Sequence, residues 1–202
     1  LLIQTGWAVT HLTPEKLPIL VATSVVFALL YLSLPLFVKQ FDSDKHQALL
    51  WNATSAAVWP FLFAIVLATQ PAYAGRWGLL FALVLCLDLG LIVLAVERWV
   101  MLLWPALFGT CLTQLAWAQE GWRAERLPIL AGVSLLFMVL LGLTPMLFRW
   151  RQKGQPLNDT VHWTAGGAAL WPLAVGAIVL ASSVGQQHGL LYGWLVLAYL
   201  WG

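Results

Sequence analysis

The sequence has little charge. Asp, Glu, Lys and Arg together make up 9% of its 202 residues and give a formal net charge of +2, whereas about 25% of the residues in a soluble domain are charged. The Lys and Arg residues stand singly or in small groups between apolar segments. Such a distribution forms no basic stripe or patch, so the sequence excludes nucleic acid as a partner.

The residues that hold metals are also scarce. The two cysteines, Cys86 and Cys111, lie inside apolar runs, and we expect them to be small apolar side chains in helix packing. The histidines fall in or near predicted loops, without the i,i+4 or clustered spacing of a metal site; they are His11, His46, His162 and His188. The sequence predicts no metal site and no cofactor.

Enzyme signatures are missing as well. The chain has no Gly-x-Ser-x-Gly elbow, no phosphate-binding glycine loop and no His-Glu-x-x-His motif. We therefore predict no catalytic residues. An enzyme would have to use carboxylates scattered over short loops, namely Asp42, Asp44, Glu120 and Glu125. Charges in short loops usually do no more than end helices in water, so the pattern favours a protein that is not an enzyme.

Apolar residues are abundant instead. Hydrophobic residues make up 61% of the chain and the mean hydropathy is +0.85, more than a soluble core of this size can bury. The apolar runs approach the roughly 20 residues needed to cross a bilayer core. They predict an all-α, polytopic transmembrane helix bundle with lipid as its solvent. The predicted helices are 17–38, 48–70, 77–96, 99–118, 127–148 and 161–183, with a partial helix at 188–202 and a stub at 1–10.

The chain repeats itself about 110 residues apart. The two copies share a glutamine, a tryptophan, a Leu-Pro-Ile-Leu run and a proline: Gln4, Trp7, 17–20 and Pro35 in the first, and Gln114, Trp117, 127–130 and Pro145 in the second. Four predicted crossings separate the copies, and an even number returns the chain to the same face of the membrane. The repeats are therefore expected to be parallel, unlike inverted transporter repeats, with about four helices each.

This pattern predicts a first transmembrane repeat at 1–110 and a second at 111–202. By comparison with the second copy, the first begins with the end of a preceding helix. The second copy is truncated, because it stops in apolar sequence at a point where the first copy continues for several residues past Gly90. We therefore expect the sequence to be a segment of a longer polytopic protein.

Loop cations predict the orientation, because cytoplasmic loops carry more Lys and Arg. One face receives Lys39, Lys45, Arg98, Arg149, Arg151 and Lys153, and the other receives Lys16, Arg76, Arg123 and Arg126. The larger set places loops 39–47, 97–98 and 149–160 in the cytoplasm. Tryptophans where runs meet loops suit the headgroup level.

Prolines and small residues mark special points on the predicted helices. Each proline removes an intrahelical hydrogen bond and is expected to bend its helix or to free a carbonyl; these are Pro35, Pro60, Pro105, Pro145 and Pro172. The kinks could make room for a substrate, although they are also common in ordinary bundles. Small side chains allow close helix approach, and the residues predicted to do so are Ala53, Ala57, Gly166 and Gly167.

Asp88 is the strongest candidate for function, because it lies near the middle of the predicted helix 77–96. A carboxylate at that depth costs several kcal/mol unless it is neutralised, hydrated or paired. Thr110, Thr113 and Gln114 share one face of the next helix, and antiparallel packing would bring Thr110 to the depth of Asp88. The alternatives are a proton or cation relay, a hydrogen bond that fixes helix packing, and a partner elsewhere in a longer protein.

One stretch carries a resemblance. Residues 83–91 (Leu-Val-Leu-Cys-Leu-Asp-Leu-Gly-Leu), Arg98-Trp99, Phe108-Gly109-Thr110 and the run 115–118 are similar to a recurring unit of an uncharacterised bacterial family of large polytopic predicted membrane proteins. That family is known only by a domain of unknown function and consists mostly of serial transmembrane helices. The resemblance implies a fragment of a long inner-membrane protein. It implies no activity and no functional residues.

Two functions follow as hypotheses. The first is a multi-pass integral membrane protein that handles a lipid-like or ionic substrate within the kinked bundle. The second is a non-catalytic structural subunit or scaffold of a membrane protein complex. Membrane lipids are the expected partners in both, and other membrane protein subunits are expected in the second.

Overall fold

The structure, a computed structural model, describes residues 13, 15–37, 55, 58–70, 73, 75–97, 99–119, 126–151 and 156–181, and no side chain is described at 31, 32, 34–37 or 179–181. Several predictions fall outside this part of the chain. They concern the stub at 1–10 with Gln4, loop 39–47, the small residues Ala53 and Ala57, and the partial helix 188–202.

The described elements are helices, and no strand occurs in the ranges given above. In chain order they are α1 (Leu17–Phe37), α2 (Val58–Ala68), α3 (Trp77–Glu97), a 3-10 turn (Val100–Leu102), α4 (Leu103–Gln119), α5 (Leu127–Gly142), α6 (Thr144–Arg151) and α7 (Asp159–Ala181). The all-helical prediction is confirmed for this part of the chain. Each of α1 and α3 ends within one residue of the end that its apolar run predicts.

Three segments are long and apolar enough to cross a membrane. They are α3, the segment Val100–Gln119, and the segment Leu127–Arg151 that comprises α5 and α6. Their lengths of 21, 20 and 25 residues meet the requirement of about 20 apolar residues for one crossing.

The chain divides into two compact units, Leu1–Trp117 and Ala118–Gly202. The division falls near the end of α4, seven residues after the predicted repeat boundary at residue 110. The assignment of two parallel repeats of about four helices stays a prediction.

In the first unit, α3 has contacts with α1 and with the 3-10 turn. Its buried side chains recur at intervals of three and four residues, as on the inward faces of a helix: Leu80, Phe81, Leu83, Val84, Leu87, Asp88, Leu91, Ile92, Leu94 and Ala95. These residues cover more than one stripe, so α3 is buried on a wide part of its circumference. Asp88 is the only acidic or basic residue among these buried side chains.

In the second unit, α5 and α6 both pack against α7. The buried side chains of α5 and α6 lie along one face with mainly three- and four-residue spacing: Leu127, Leu130, Val133, Ser134, Phe137, Leu141, Thr144 and Phe148. The buried residues of α7 follow the same rule at Val161, Thr164, Ala168 and Val175. The stripe crosses from α5 to α6 without rotating, so the two helices act as one rod.

Two helices differ in detail from the sequence prediction. The predicted helix 127–148 is interrupted at Leu143, and the predicted helix 99–118 opens with the 3-10 turn before α4 begins. The interruption lies two residues before Pro145, and the 3-10 turn ends three residues before Pro105. Hydropathy is continuous through both places, so it carries no signal of a change in backbone hydrogen bonding.

Candidate functional site in the first unit

The candidate site lies where α3 and α4 meet. The Thr110 hydroxyl donates a hydrogen bond of 2.5 Å to Oδ2 of Asp88. The rings of Phe81 and Trp117 pack edge to face with their centroids 5.5 Å apart. Phe81 precedes Asp88 by seven residues, and Trp117 follows Thr110 by seven. The two contacts are about two helical turns apart, and the step from one to the other runs backwards along α3 and forwards along α4. The two helices are therefore antiparallel here.

Asp88 is completely enclosed, with 0% of its surface exposed. Its neighbours along the inward faces of α3, Val84 and Leu91, are also fully buried. The Oδ2 atom is occupied by Thr110. The Oδ1 atom has no hydrogen-bond partner among the residues that the structure describes. Asp88 therefore ties α3 to α4 through one of its two carboxyl oxygens.

The other two predicted residues of the site are buried on the same face of α4. Thr113 donates its hydroxyl to the carbonyl of Gly109 on its own helix, at 2.7 Å. A hydroxyl that satisfies its own helix in this way needs no partner on α3. Gln114 is fully buried one turn after Thr110 and has contacts of its own. Of the four candidates, the structure brings Asp88 and Thr110 into direct contact.

Sequence reasoning missed a contact beside this pair. Gly109 precedes Thr110, and a Cβ atom at Gly109 would overlap the ring of Phe61 from α2. Phe61 itself is buried. Glycine inside a helix costs up to about 1 kcal/mol relative to alanine, and here its lack of a side chain lets an aromatic ring lie against the helix backbone. The only signal in the sequence was a glycine within an apolar helical run.

The predicted kink residues occupy different positions in their helices. Pro105 is the third residue of α4, in a first turn where a missing N–H is tolerated. Pro172 lies inside α7. Pro60 is the third residue of the range described for α2, and Pro35 is near the end of α1. Pro145 is the second residue of α6, directly after the interruption at Leu143.

The Leu141 carbonyl, which loses its usual donor because residue 145 is proline, has a substitute donor. In a continuous helix the N–H of residue 145 would bond to the carbonyl of Leu141. Proline has no N–H, and the Thr144 hydroxyl donates to that carbonyl instead, at 2.7 Å. Backbone bonds from Leu143 to Val139 and from Leu147 to Leu143 continue on either side. Pro145 therefore interrupts the helix without leaving this carbonyl unsatisfied.

The predicted close packing at Gly166 is not seen among the described residues. Gly166 is exposed, and a Cβ atom there would meet nothing within 4 Å. Gly167 is half-buried, and the next residue, Ala168, is buried on the α7 stripe. The small-residue segment thus contributes Ala168 to packing within the second unit.

Metal ligands do not cluster in the described part of the chain. No group of three His, Cys, Asp or Glu side chains that could hold a metal occurs there. Cys86 and Cys111 are half-buried free thiols.

Comparison with known proteins adds no relative: no family model, no curated protein and no solved structure matches the chain.

Proposed function

We propose that the chain is a polytopic integral membrane protein of the bacterial cytoplasmic membrane. The three long apolar segments support this assignment. Large apolar side chains on them are exposed, among them Val93, Phe108 and Leu136. Contiguous exposed apolar surface marks a site of membrane or protein contact, and in a bilayer these side chains would meet acyl chains.

The proposed orientation puts loops 97–98 and 149–160 on the cytoplasmic side, together with loop 39–47. Exposed Arg149 and Arg151 at the end of the α5–α6 rod support it, because cytoplasmic ends carry more cations. Fusions of a phosphatase that is active only outside the cytoplasm test it. Activity is expected after residue 76 and not after residue 151, and the reverse result would overturn the orientation.

We further infer two parallel repeats, at 1–110 and 111–202, and membership of the bacterial family of serial transmembrane helices that the sequence resembles. The matched glutamine, tryptophan, Leu-Pro-Ile-Leu and proline positions support the repeats. The family contributes no activity to the argument.

Within the membrane, the role that the geometry supports best is a non-catalytic structural subunit or scaffold. One observation carries it: the intramembrane carboxyl of Asp88 is enclosed and bonded to Thr110 on a neighbouring helix. A transport path needs a polar surface that substrate can reach, whereas a helix-packing role needs a polar bond sealed inside the bundle. The enclosure of both residues favours packing.

A scaffold makes a direct prediction about its assembly state. When the full chain is extracted from its native membrane in a mild detergent, it is expected to elute with other membrane subunits in a fixed stoichiometry. Size-exclusion chromatography with light scattering and mass spectrometry measures this. A stable, homogeneous monomer would contradict the scaffold proposal.

A second function, the handling of an ionic or lipid-like substrate, is favoured by one specific observation. The Oδ1 atom of Asp88 has no hydrogen-bond partner within the described ranges. Buried polar atoms are usually paired, and an unpaired carboxyl oxygen can take a proton or a cation. Transient opening of the bundle would be needed for exchange.

Flux measurements separate the two functions. The full chain is reconstituted in vesicles, and proton and potassium fluxes are measured under an imposed gradient. The substrate hypothesis expects a flux above that of protein-free vesicles that is lost in Asp88→Asn. If the chain is a scaffold, no flux is expected. Asp88→Asn should then have no effect, because it keeps an acceptor for the Thr110 hydroxyl.

A further inference from the structure

Buried polar side chains are few in the first unit, and two of them are bonded to each other. In the described part of this unit they are Asp88, Thr110, Thr113 and Gln114. The Asp88 carboxyl accepts from Thr110 at Oδ2, whereas Oδ1 has no hydrogen-bond partner among the described residues. Buried polar atoms are nearly always bonded, so the enclosed Oδ1 is the place where a ligand inside this helix pair would bind.

The helices around this carboxyl carry no cationic side chain. The sequences of α1, α2, α3, the 3-10 turn and α4 contain no Lys, Arg or His. Besides Asp88, their titratable side chains, none of which can become cationic, are Tyr31, Cys86, Glu97 and Cys111. Both ends of α3, at Trp77 and Glu97, are at least about 13 Å from Asp88 along the helix axis. An ionised Asp88 would therefore have no counter-ion on these elements.

A metal cation fits the carboxyl poorly. Such an ion exchanges its water for several oxygen ligands, about six to eight in the case of Ca²⁺. The oxygens that the structure brings together here are the two of Asp88 and the hydroxyl of Thr110. The Thr113 hydroxyl is directed to the carbonyl of Gly109 on its own helix. A proton needs a single oxygen, and a carboxyl group without a counter-ion in an apolar interior becomes neutral because burial of its charge costs far more.

We propose that Asp88 is a proton-binding site, with the proton on Oδ1 and the Thr110 hydroxyl bonded to Oδ2. In the closed helix pair Oδ2 is the carbonyl oxygen of the neutral acid and still accepts from Thr110. When α3 and α4 separate, water reaches the carboxyl and takes the proton from Oδ1. The carboxylate regains a proton from water before the helices close again.

Thr110 is a positioning residue in this site, because its bond to Oδ2 leaves Oδ1 to carry the proton. The inference rests on the proposed membrane-spanning role of α3 and α4. It narrows any ionic substrate of the second proposed function to the proton.

Infrared spectroscopy tests the protonation directly. The full chain is reconstituted in phosphatidylcholine vesicles at neutral pH, and spectra are compared for the wild type, Asp88→Asn, and the wild type with aspartate labelled with ¹³C in the side-chain carboxyl. A protonated carboxyl has a C=O band that is well separated from the bands of a carboxylate. We expect an acid band that shifts on labelling, a result that needs no variant to fold, and that is lost in Asp88→Asn. Loss of carboxylate bands alone would overturn the proposal.

Two variants of Thr110 test where the proton lies. Thr110→Val removes the donor to Oδ2 and should move the acid band to higher wavenumber, whereas Thr110→Ser keeps the donor and should leave the band in place. Asp159→Asn is the control, because it removes an exposed carboxyl at the start of α7 and should leave the acid band unchanged. An acid band that does not respond to Thr110→Val, or that is lost in Asp159→Asn, would contradict the proposal.

Added salts separate a proton from a metal cation. Sodium, potassium, magnesium and calcium chloride are added in turn at constant pH, and none should change the acid band. Loss of the band with one of these salts would assign the site to that cation and overturn the proposal.

The outcomes also distinguish this inference from the proposed functions. An acid band at Asp88 without proton flux supports the proton site and contradicts the handling of an ionic substrate. A chain that resists carbonate extraction from vesicles but holds Asp88 as a carboxylate contradicts the proton site alone. A chain that does not insert contradicts the membrane assignment and the proton site with it.

Discussion

The Thr144 hydroxyl donates to the carbonyl of Leu141, 2.7 Å away. In a regular helix this carbonyl would accept from the N–H of residue 145, which Pro145 lacks. Polar side chains are known to satisfy backbone groups that proline frees in membrane helices. The bond explains how the α5–α6 rod keeps one buried stripe against α7 although its backbone changes at Leu143. Thr144 is fully buried, so water is a poor substitute for its hydroxyl.

The first prediction tests whether the Thr144 hydroxyl replaces the missing backbone donor to the Leu141 carbonyl. Thr144→Val keeps the shape of the side chain but removes the donor, and is expected to lower the free energy of unfolding by about 1–2 kcal/mol. In a Pro145→Ala background the N–H of residue 145 can bond to Leu141. Thr144→Val should then cost less than about 0.5 kcal/mol. The free energy of unfolding is measured in mixed detergent micelles for the wild type and the three variants, and equal costs of Thr144→Val in both backgrounds would contradict the explanation.

The second prediction concerns the bond between Asp88 and Thr110. Asp88→Asn keeps an acceptor for the Thr110 hydroxyl, and its free energy of unfolding should stay close to that of the wild type. Thr110→Val leaves the buried carboxyl without this donor and should cost about 1–3 kcal/mol.

A double-mutant cycle gives the coupling of this pair. Asp88→Leu with Thr110→Val replaces both partners by apolar groups, which can be nearly neutral, so the double variant should be more stable than Thr110→Val alone. Polar bonds between membrane helices average about 0.6 kcal/mol and reach about 1.7 kcal/mol. A coupling energy near zero would show that the bond does not stabilise the α3–α4 packing.

The ends of α1 and α3 follow from hydropathy, because the apolar runs end where the chain reaches loops. The contact of Asp88 with Thr110 follows from depth, because two antiparallel helices joined by a short turn must bring residues at equal distances from that turn together. The role of Thr144 could not be predicted in the same way. It depends on which carbonyl a proline frees and on the rotamer of the preceding side chain, and neither leaves a trace in hydropathy.

The contact of Phe61 with Gly109 could not be predicted from the sequence, for a different reason. Phe61 and Gly109 belong to helices that are not consecutive, so their meeting depends on how α2 crosses α4. A single glycine in an apolar run is compatible with many crossings. Gly166 shows the converse: the sequence suggests close packing there, and among the described residues its Cβ position is open.

The third prediction uses this difference between glycines. Gly109→Ala places a methyl group into the ring of Phe61 and is expected to lower the free energy of unfolding by about 1–3 kcal/mol, as overpacking does. Gly132→Ala in α5 is the matched control, because its Cβ meets nothing within 4 Å. It should raise stability by up to about 1 kcal/mol, the usual preference of a helix for alanine. Phe61→Leu combined with Gly109→Ala should recover part of the loss, since the smaller side chain leaves room for the methyl group. The free energy of unfolding in mixed micelles separates these cases. If Gly109→Ala were as well tolerated as Gly132→Ala, α2 would not pack against α4 through this contact.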